Sequence, residues 1–296
     1  WSWRLSMVVA GGVCFITGIA YYFVTTDLPD GNFKELWEKG EYRPAKKVKG
    51  TFAEAAKDKR VWALFMVYGA CFGVELTINN IAAMYYIDNF GLELKTAGLV
   101  AGLFGLMNIF ARTTGGVIGD KFGAVWGLRG RVRWLFVGLI IEACSLILFS
   151  RMTVLPIAIG SMVIFGLFVH MSAGATYSVV PFINKRALGS VAGIVGAGGN
   201  AGAVAAGFLF RSDILWEDCL LILGFVVFIV AFVTYLVTFS PEEEAQAAEA
   251  YVKALEERRA LQGESESKRP PTSVVLAWVQ PMAVLRIFLG FALIVK

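Results

Sequence analysis

The sequence has little charge: Asp, Glu, Lys and Arg make up 17% of its 296 residues, whereas apolar residues make up 57%. It has one histidine, His170, and four cysteines, all of them within apolar runs. One histidine and scattered cysteines form neither a metal site nor a disulfide framework, so we expect no metal and no cofactor. No nucleophile with a positioned base and no nucleotide loop stands out, so we do not expect an enzyme.

The sequence contains long apolar runs with few charged residues in them. Each is about as long as the ~20 helical residues that cross a hydrocarbon core, and none alternates as barrel strands do. The sequence therefore predicts an all-α membrane protein, a multi-pass helical bundle in the lipid bilayer. The seven predicted spans lie near residues 5–24, 61–87, 96–118, 134–150, 154–180, 188–210 and 219–239.

Basic residues are concentrated in alternate links. Residues 26–60 carry nine Lys and Arg, residues 119–133 carry four and residues 182–187 carry two, whereas the other links hold only Lys95, Arg151 and Arg211. The positive-inside rule places the basic links in the cytoplasm. The charge of +4 then reflects topology, and we expect no nucleic-acid partner.

One span, a long polar linker and six further spans indicate the second half of a protein with two six-helix halves. We expect the chain to be a fragment of a longer protein, because it begins at Trp1 without a signal peptide. The predicted segments are the last helix of the first half (1–25), a cytoplasmic linker (26–60), the six-helix half (61–239), a charged cytoplasmic tail (240–272) and an apolar terminal segment (273–296). The terminal segment is an interfacial segment, a true span or an artefact of the gene model.

Three ionisable side chains fall inside predicted spans, where such residues are costly and usually functional: Glu75, Arg112 and Glu142. The guanidinium of Arg112 is a planar fork of donors that suits a planar oxyanion. The alternative is a purely structural ion pair with Glu75 or with Glu142.

The second span carries a mixed aromatic and polar face. Tyr68, Phe72, Glu75 and Asn79 follow one another at steps of four, three and four residues, which aligns them on a helix. They offer two aromatic planes, a carboxylate and an amide to one wall of a site. Ordinary aromatic packing, with Glu75 bonded to a neighbouring helix, is the alternative.

The sixth span is rich in glycine, although glycine is a poor helix former. Small residues allow helix backbones to touch inside a membrane, so the pattern predicts close packing. Asn200, beside Gly198 and Gly199, adds an amide where the backbone is bare, and this favours a small polar ligand over packing alone. The predicted packing stripe is Gly189, Gly193, Gly196, Asn200, Ala203 and Gly207.

A glycine-flanked acid follows the third span. Gly116, Asp120, Lys121 and Gly123 predict a loop in which Asp120 accepts from helix-terminal amides or basic residues and so latches one conformation. The alternative is a solvated basic loop that only sets topology. For His170, a packing role is favoured over a proton relay.

Two of these motifs resemble a known family. VGAGGNAGAVAAG is similar to the signature of the nitrate/nitrite porters of the major facilitator superfamily, and GDKFG is similar to that superfamily's loop motif. FGVELTINNIAAMYY, ARTTGG and VVPFINKRALGSVAGIVGAGGN resemble the eukaryotic high-affinity nitrate transporters, so the likeness covers about residues 51–210. It implies twelve helices in two halves with the substrate between them, of which this chain carries the second half.

The resemblance also implies site residues and partners. Arg112 becomes the substrate arginine of this half, Tyr68 and Phe72 the aromatic residues that sandwich the anion, and Asn200 the signature amide near the site. It implies a small single-span accessory protein as a further partner, and a plasma-membrane location. The alternatives are a porter for another small anion and a non-transporting receptor or partner subunit.

Uptake of an anion into a cell with a negative interior costs about 2.3 kcal/mol per charge per 100 mV. An inward carrier for nitrate or nitrite must therefore couple to cations, and proton symport is expected. Glu75 is the candidate proton carrier because it is an acid on the same face as the aromatic residues.

Overall fold

A computed structural model describes residues 2–28, 30–41 and 50–267 of the chain. The described residues are helical apart from turns and one isolated bridge between Leu28 and Gly31, so the all-α fold is confirmed. The predicted apolar segment 273–296 lies outside the described residues. The chain divides into two compact units, residues 1–50 and 51–296, and each is described by itself.

The first unit contains α1 (Ser2–Val24) and the short α2 (Phe33–Glu38). Helix α1 is long and apolar enough to cross a membrane, as the run at 5–24 predicts. A turn follows it, in which the Asp27 carboxylate accepts from the amide of Phe33 at 3.1 Å. This turn starts α2 inside the predicted linker.

The second unit is a bundle of long apolar helices with a charged helix at its end. Asp58 starts α4 by accepting from the Arg60 amide at 2.9 Å, and Gly91 ends it with a left-handed φ of 64°. The helices are α3 (Thr51–Lys57), α4 (Lys59–Phe90), α5 (Leu94–Ser150), α6 (Leu155–Val179), α7 (Leu188–Phe210), α8 (Trp216–Ala231) and α9 (Pro241–Ser267), with 3₁₀ turns at Val180–Phe182 and Phe232–Leu236.

Helix α5 is broken once, at Trp126 and Gly127, where Gly127 has a φ of 67°. The break divides α5 into two arms, residues 94–125 and 128–150, which contain the predicted spans 96–118 and 134–150. The indole Nε1 of Trp134 donates to the Gly115 carbonyl at 2.9 Å, so the arms lie side by side. The prediction of a loop over 119–133 is therefore wrong, because two non-helical residues suffice to reverse the chain.

Six helices of the described chain are long and apolar enough to cross a membrane. Since α5 holds two of the predicted spans, they account for all seven. Helix α4 lies centrally in the second unit and contacts α5, α6, α7 and α8. The chain is a multi-pass integral membrane protein.

Helices α4 and α7 touch through their backbones. A Cβ atom added at Gly198 would overlap the Phe65 carbonyl, and one added at Gly202 would overlap the Gly69 carbonyl. A Cβ atom added at Gly73 would lie 2.7 Å from the Ala203 amide nitrogen. Glycine is needed here because any side chain would separate the two helices.

The predicted packing stripe on α7 is confirmed only in part. The backbone of Ala203 lies against Gly73, and a Cβ atom added at Gly196 would lie 3.1 Å from the Tyr177 hydroxyl, but the other glycines of the stripe make no such contact. A Cβ atom added at Gly189, Gly193 or Gly207 would meet nothing within 4 Å among the described residues. Both faces of α7 have small residues at helical spacing, so the spacing alone could not show which face packs on α4.

Candidate functional site

Glu75 is a buried carboxylate at the junction of α4, α5 and α6, with 2% of its surface exposed. Its Oε2 accepts from Nη2 of Arg112 at 2.7 Å, and its Oε1 accepts from Nδ2 of Asn108 at 3.1 Å. Asn108 and Arg112 are four residues apart on α5, so both reach the same acid. The ion pair that the sequence left open is present, and its acid is Glu75.

The ion pair uses only part of the Arg112 guanidinium. The Nε atom makes no hydrogen bond with any described residue, and 35% of the side chain is exposed. The Cζ atom lies 5.2 Å from the centroid of the Phe72 ring, which is cation–π distance. One Nη atom is thus held by the acid, the Cζ atom lies over an aromatic ring, the Nε atom is buried, and about a third of the side chain stays exposed.

Tyr68 and Phe72 form one aromatic wall beside Arg112. Their centroids are 5.0 Å apart and their planes differ by 9°, so the rings stack on each other. An anion between the two rings would need their planes to be about 7 Å apart, which is twice a van der Waals contact. The stacked rings therefore leave no room for an anion between them in this structure. Tyr177 of α6 extends the wall, with its ring edge-on to Tyr68 at 5.1 Å, although sequence reasoning did not place it in the site.

Two glycines bring α5 and α6 together at the height of Arg112. A Cβ atom added at Gly174 would overlap the Arg112 carbonyl, and one added at Gly115 would overlap the Met171 carbonyl. No other residue type fits either position without moving a backbone. The position of Arg112 is therefore set by backbone contact between the two helices.

Helix α7 completes the surroundings of the aromatic wall. A Cβ atom added at Gly199 would overlap Phe72 and lie 3.0 Å from the Tyr68 ring, so this glycine makes room for both rings. Gly198 packs against α4, as described above. The Asn200 side chain is exposed and donates only a long 3.5 Å bond, to the Gly196 carbonyl. The Asn200 amide is therefore open to a ligand or to another part of the protein.

His170 is fully buried beside the ion pair. Its Nδ1 bonds the Gly166 carbonyl, and its Nε2 lies 3.6 Å from Oε1 of Glu75. The imidazole is thus packed against the candidate proton carrier, with no hydrogen bond between its Nε2 and Glu75. The spacing gave no sign of this, since His170 is on α6 and Glu75 on α4.

Glu142, the third ionisable residue within the spans, is fully buried in the second arm of α5. Neither of its carboxyl oxygens has a hydrogen-bond partner among the described residues. It is therefore not the partner of Arg112.

The glycine-flanked acid of the predicted loop is paired. Asp120 accepts from Nη1 of Arg131, which lies beyond the break in α5 and also donates to the Ser178 carbonyl at 3.3 Å. A Cβ atom added at Gly123 would lie 2.6 Å from Nε of Arg131, whereas Gly116 has only a 3.8 Å neighbour. Lys121 is exposed. Asp120 thus binds a basic residue of the second arm, although the loop itself is helical.

The charged tail also contacts this end of the bundle, which the sequence did not predict. The Glu244 carboxylate of α9 accepts from the amides of Leu128 at 2.7 Å and Arg129 at 3.1 Å. These are the first amides after the break, so the acid caps the second arm of α5. Glu243 accepts from Arg60 at 2.9 Å.

The described residues contain no group of three His, Cys, Asp or Glu side chains that could hold a metal ion. The groups that meet around Arg112 are a guanidinium, a carboxylate, an imidazole and aromatic rings.

The sequence model of the Major Facilitator Superfamily matches residues 1–181 and 77–295 of the chain. The chain belongs to this superfamily. Its all-α architecture and long apolar helices are those expected of a facilitator.

Curated relatives narrow the family further. The chain is 39% identical over 213 residues to the high affinity nitrate transporter 2.5 of Arabidopsis thaliana, covering 71% of this chain and 41% of the relative. It is 35% identical to the nitrate transporter 2.2 of Chlamydomonas reinhardtii, over 73% of the chain and 43% of the relative. A nitrate/nitrite transporter of Nostoc punctiforme is 34% identical over 49% of the chain and 28% of its own length.

These matches confirm the resemblance to the nitrate porters of the facilitator superfamily. The chain spans about two fifths of the length of the first two relatives, 41% and 43%. What the whole protein transports is therefore a proposal.

Proposed function

We propose that this chain is one half of a secondary transporter that carries nitrate across a membrane by alternating access. The observation that carries the proposal is Arg112, a guanidinium in a membrane helix that is 35% exposed and has the Phe72 ring 5.2 Å from its Cζ atom. A cation at such a position usually marks a substrate path. The names of the relatives supply nitrate as the anion, and nitrite is included because one relative is named for both.

Nitrate is flat and trigonal, which matches this group better than a tetrahedral anion does. Two parallel N–H donors bind two oxygens of one plane, and the aromatic face of Phe72 holds the guanidinium flat. The Asn200 amide and the Tyr68 wall border the same region of the second unit. The facing half would supply a second cation, and the two halves would rock around the bound anion.

Glu75 is the proposed proton carrier, and the geometry supports a competition between Glu75 and the anion for the Arg112 guanidinium. As a carboxylate it holds Arg112 at 2.7 Å. Protonation of Glu75 removes its negative charge, so Arg112 is released to the anion. One anion and the proton that freed its site then move together, which gives symport without a separate gate.

The test is transport by the longest protein that includes this chain, reconstituted in vesicles. We expect Glu75→Gln to exchange nitrate across the bilayer and to lose accumulation driven by a proton gradient. Arg112→Lys keeps the charge but loses the fork, and should weaken nitrate uptake more than tenfold. If both variants accumulate nitrate as the parent does, the proposal is wrong.

The same assay separates the other candidate functions. Competition by formate, sulfate and nitrite distinguishes a nitrate carrier from a porter of another anion. An upstream reading frame with six further helices argues against a receptor or partner subunit that does not transport. Expression with and without a small single-span accessory protein, at the plasma membrane, tests the partner and location that the resemblance implies.

A further inference from the structure

The proposed function leaves one buried acid unused. Glu142 lies on the second arm of α5 with 0% of its surface exposed, and its burial comes entirely from the described part of this chain. In contrast to Glu75, it has no cation within ion-pair distance among the described residues.

The groups around Glu142 do not compensate a negative charge. Cys71 and Glu75 face it from α4, and the Ser172 hydroxyl faces it from α6, where His170 lies against Glu75. The Ser172 hydroxyl faces the carboxyl group without a well-formed hydrogen bond, so it offers Glu142 at most one weak donor.

The acids of α8 are engaged elsewhere. Asp218 pairs with Arg151 at 2.8 Å, and Glu217 accepts from Asn89 at 3.3 Å. The basic groups of the neighbouring helices, Arg112 of α5 and His170 of α6, lie against Glu75 and not within ion-pair distance of Glu142. An ionised carboxylate with no cation and one weakly placed hydroxyl beside it is too costly in such a place and binds a proton instead.

We propose that Glu142 is a second proton-binding site of the transporter, occupied in the conformation seen here. Its proton is bound while the site is closed and is released when rocking of the halves brings water or a cation to the carboxyl group. One O–H bond breaks on release and the proton passes to water, leaving a carboxylate that must be reprotonated before this conformation returns. The inference rests on the proposed transport function and adds a second carrier to Glu75.

Infrared spectroscopy tests the protonation state directly. A protonated carboxylic acid in an apolar site has a C=O stretching band that shifts in heavy water. We expect this band in the full-length protein, its loss in Glu142→Gln, and its persistence in Glu75→Gln and in the exposed control Glu249→Gln. Absence of the band, or its survival in Glu142→Gln, would overturn the proposal.

Transport gives an independent readout. Glutamine has the shape of a neutral glutamic acid, so a purely structural Glu142 would tolerate the change with unaltered transport. We expect Glu142→Gln to keep nitrate exchange between equal nitrate pools and to lose at least tenfold in uptake driven by a proton gradient. Unchanged proton-driven uptake in a correctly folded Glu142→Gln protein would also overturn the proposal.

Failure of the proposed transport function and failure of the second proton site can be distinguished. If the parent protein moves no nitrate, the transport function is wrong, whereas the infrared band still decides the state of Glu142. If the parent accumulates nitrate and Glu75→Gln does not, while Glu142→Gln does, only the second proton site is wrong.

Discussion

The two sides of α4 are built on different principles. Toward α7 it presents Gly69 and Gly73, and the two backbones touch with no charged group between them. Toward α5 and α6 it presents Glu75, which is held by Arg112 and Asn108 and lies 3.6 Å from His170. The first contact depends on shape alone and the second on charge. A membrane helix can therefore be fixed on one side by close packing while its other side stays responsive to an ion or a proton.

The largest effect is expected on the charged side, from Arg112→Ala. The substitution leaves Glu75 buried with only Asn108 as a donor, and removing one partner of a buried pair costs about 3 kcal/mol. Thermal unfolding in detergent measures this loss. Adding Glu75→Gln should restore most of the stability, because the unpaired charge is gone. A double variant less stable than Arg112→Ala would contradict the pairing.

On the glycine side, Gly202→Val should destabilise the bundle by about 2 kcal/mol, since its side chain would collide with the Gly69 carbonyl. Gly207→Val is the matched control on the same helix, where a Cβ atom meets nothing within 4 Å. The same unfolding measurement compares them. Equal stability of the two variants would show that α4 and α7 are not in backbone contact.

The smallest effect is expected at α9, whose Glu244 carboxylate caps the second arm of α5 and lies on neither of the two sides of α4. Glu244→Ala removes the acceptor for the amides of Leu128 and Arg129, and losing such a cap costs about 1 kcal/mol. Glu249→Ala, an exposed position on the same helix, is the control. Hydrogen exchange at residues 128 and 129 should speed up in the first variant only, and identical exchange in both would exclude the cap.

The sequence predicted the helices well and their contacts less well. The apolar run at 188–210 coincides with α7, because the length of an apolar run in a membrane is fixed by the bilayer. The sequence placed a chain reversal within 119–133 but did not locate it at Gly127, since the helix continues on both sides of only two non-helical residues.

The candidate site shows the same division. Arg112 and Glu75 were singled out because charge is rare in spans, and both lie in the site. Neither His170 nor Tyr177 was assigned to it, because both lie on α6, which is a different helix from those that carry Glu75 and Arg112. The face of α7 that packs on α4 was misplaced, because glycine spacing fits several faces of a helix and only tertiary contact selects one.

The central claim is that Glu75 and the anion compete for one guanidinium. Nitrate binding by the full-length protein and by Glu75→Gln, measured by calorimetry at acidic and alkaline pH, tests it most directly. The account predicts that the parent binds nitrate more tightly at acidic pH, because a proton on Glu75 frees Arg112, and that Glu75→Gln binds tightly at both. The account would be contradicted if Glu75→Gln bound nitrate more weakly than the parent, or if nitrate binding by Glu75→Gln depended on pH as strongly as binding by the parent does.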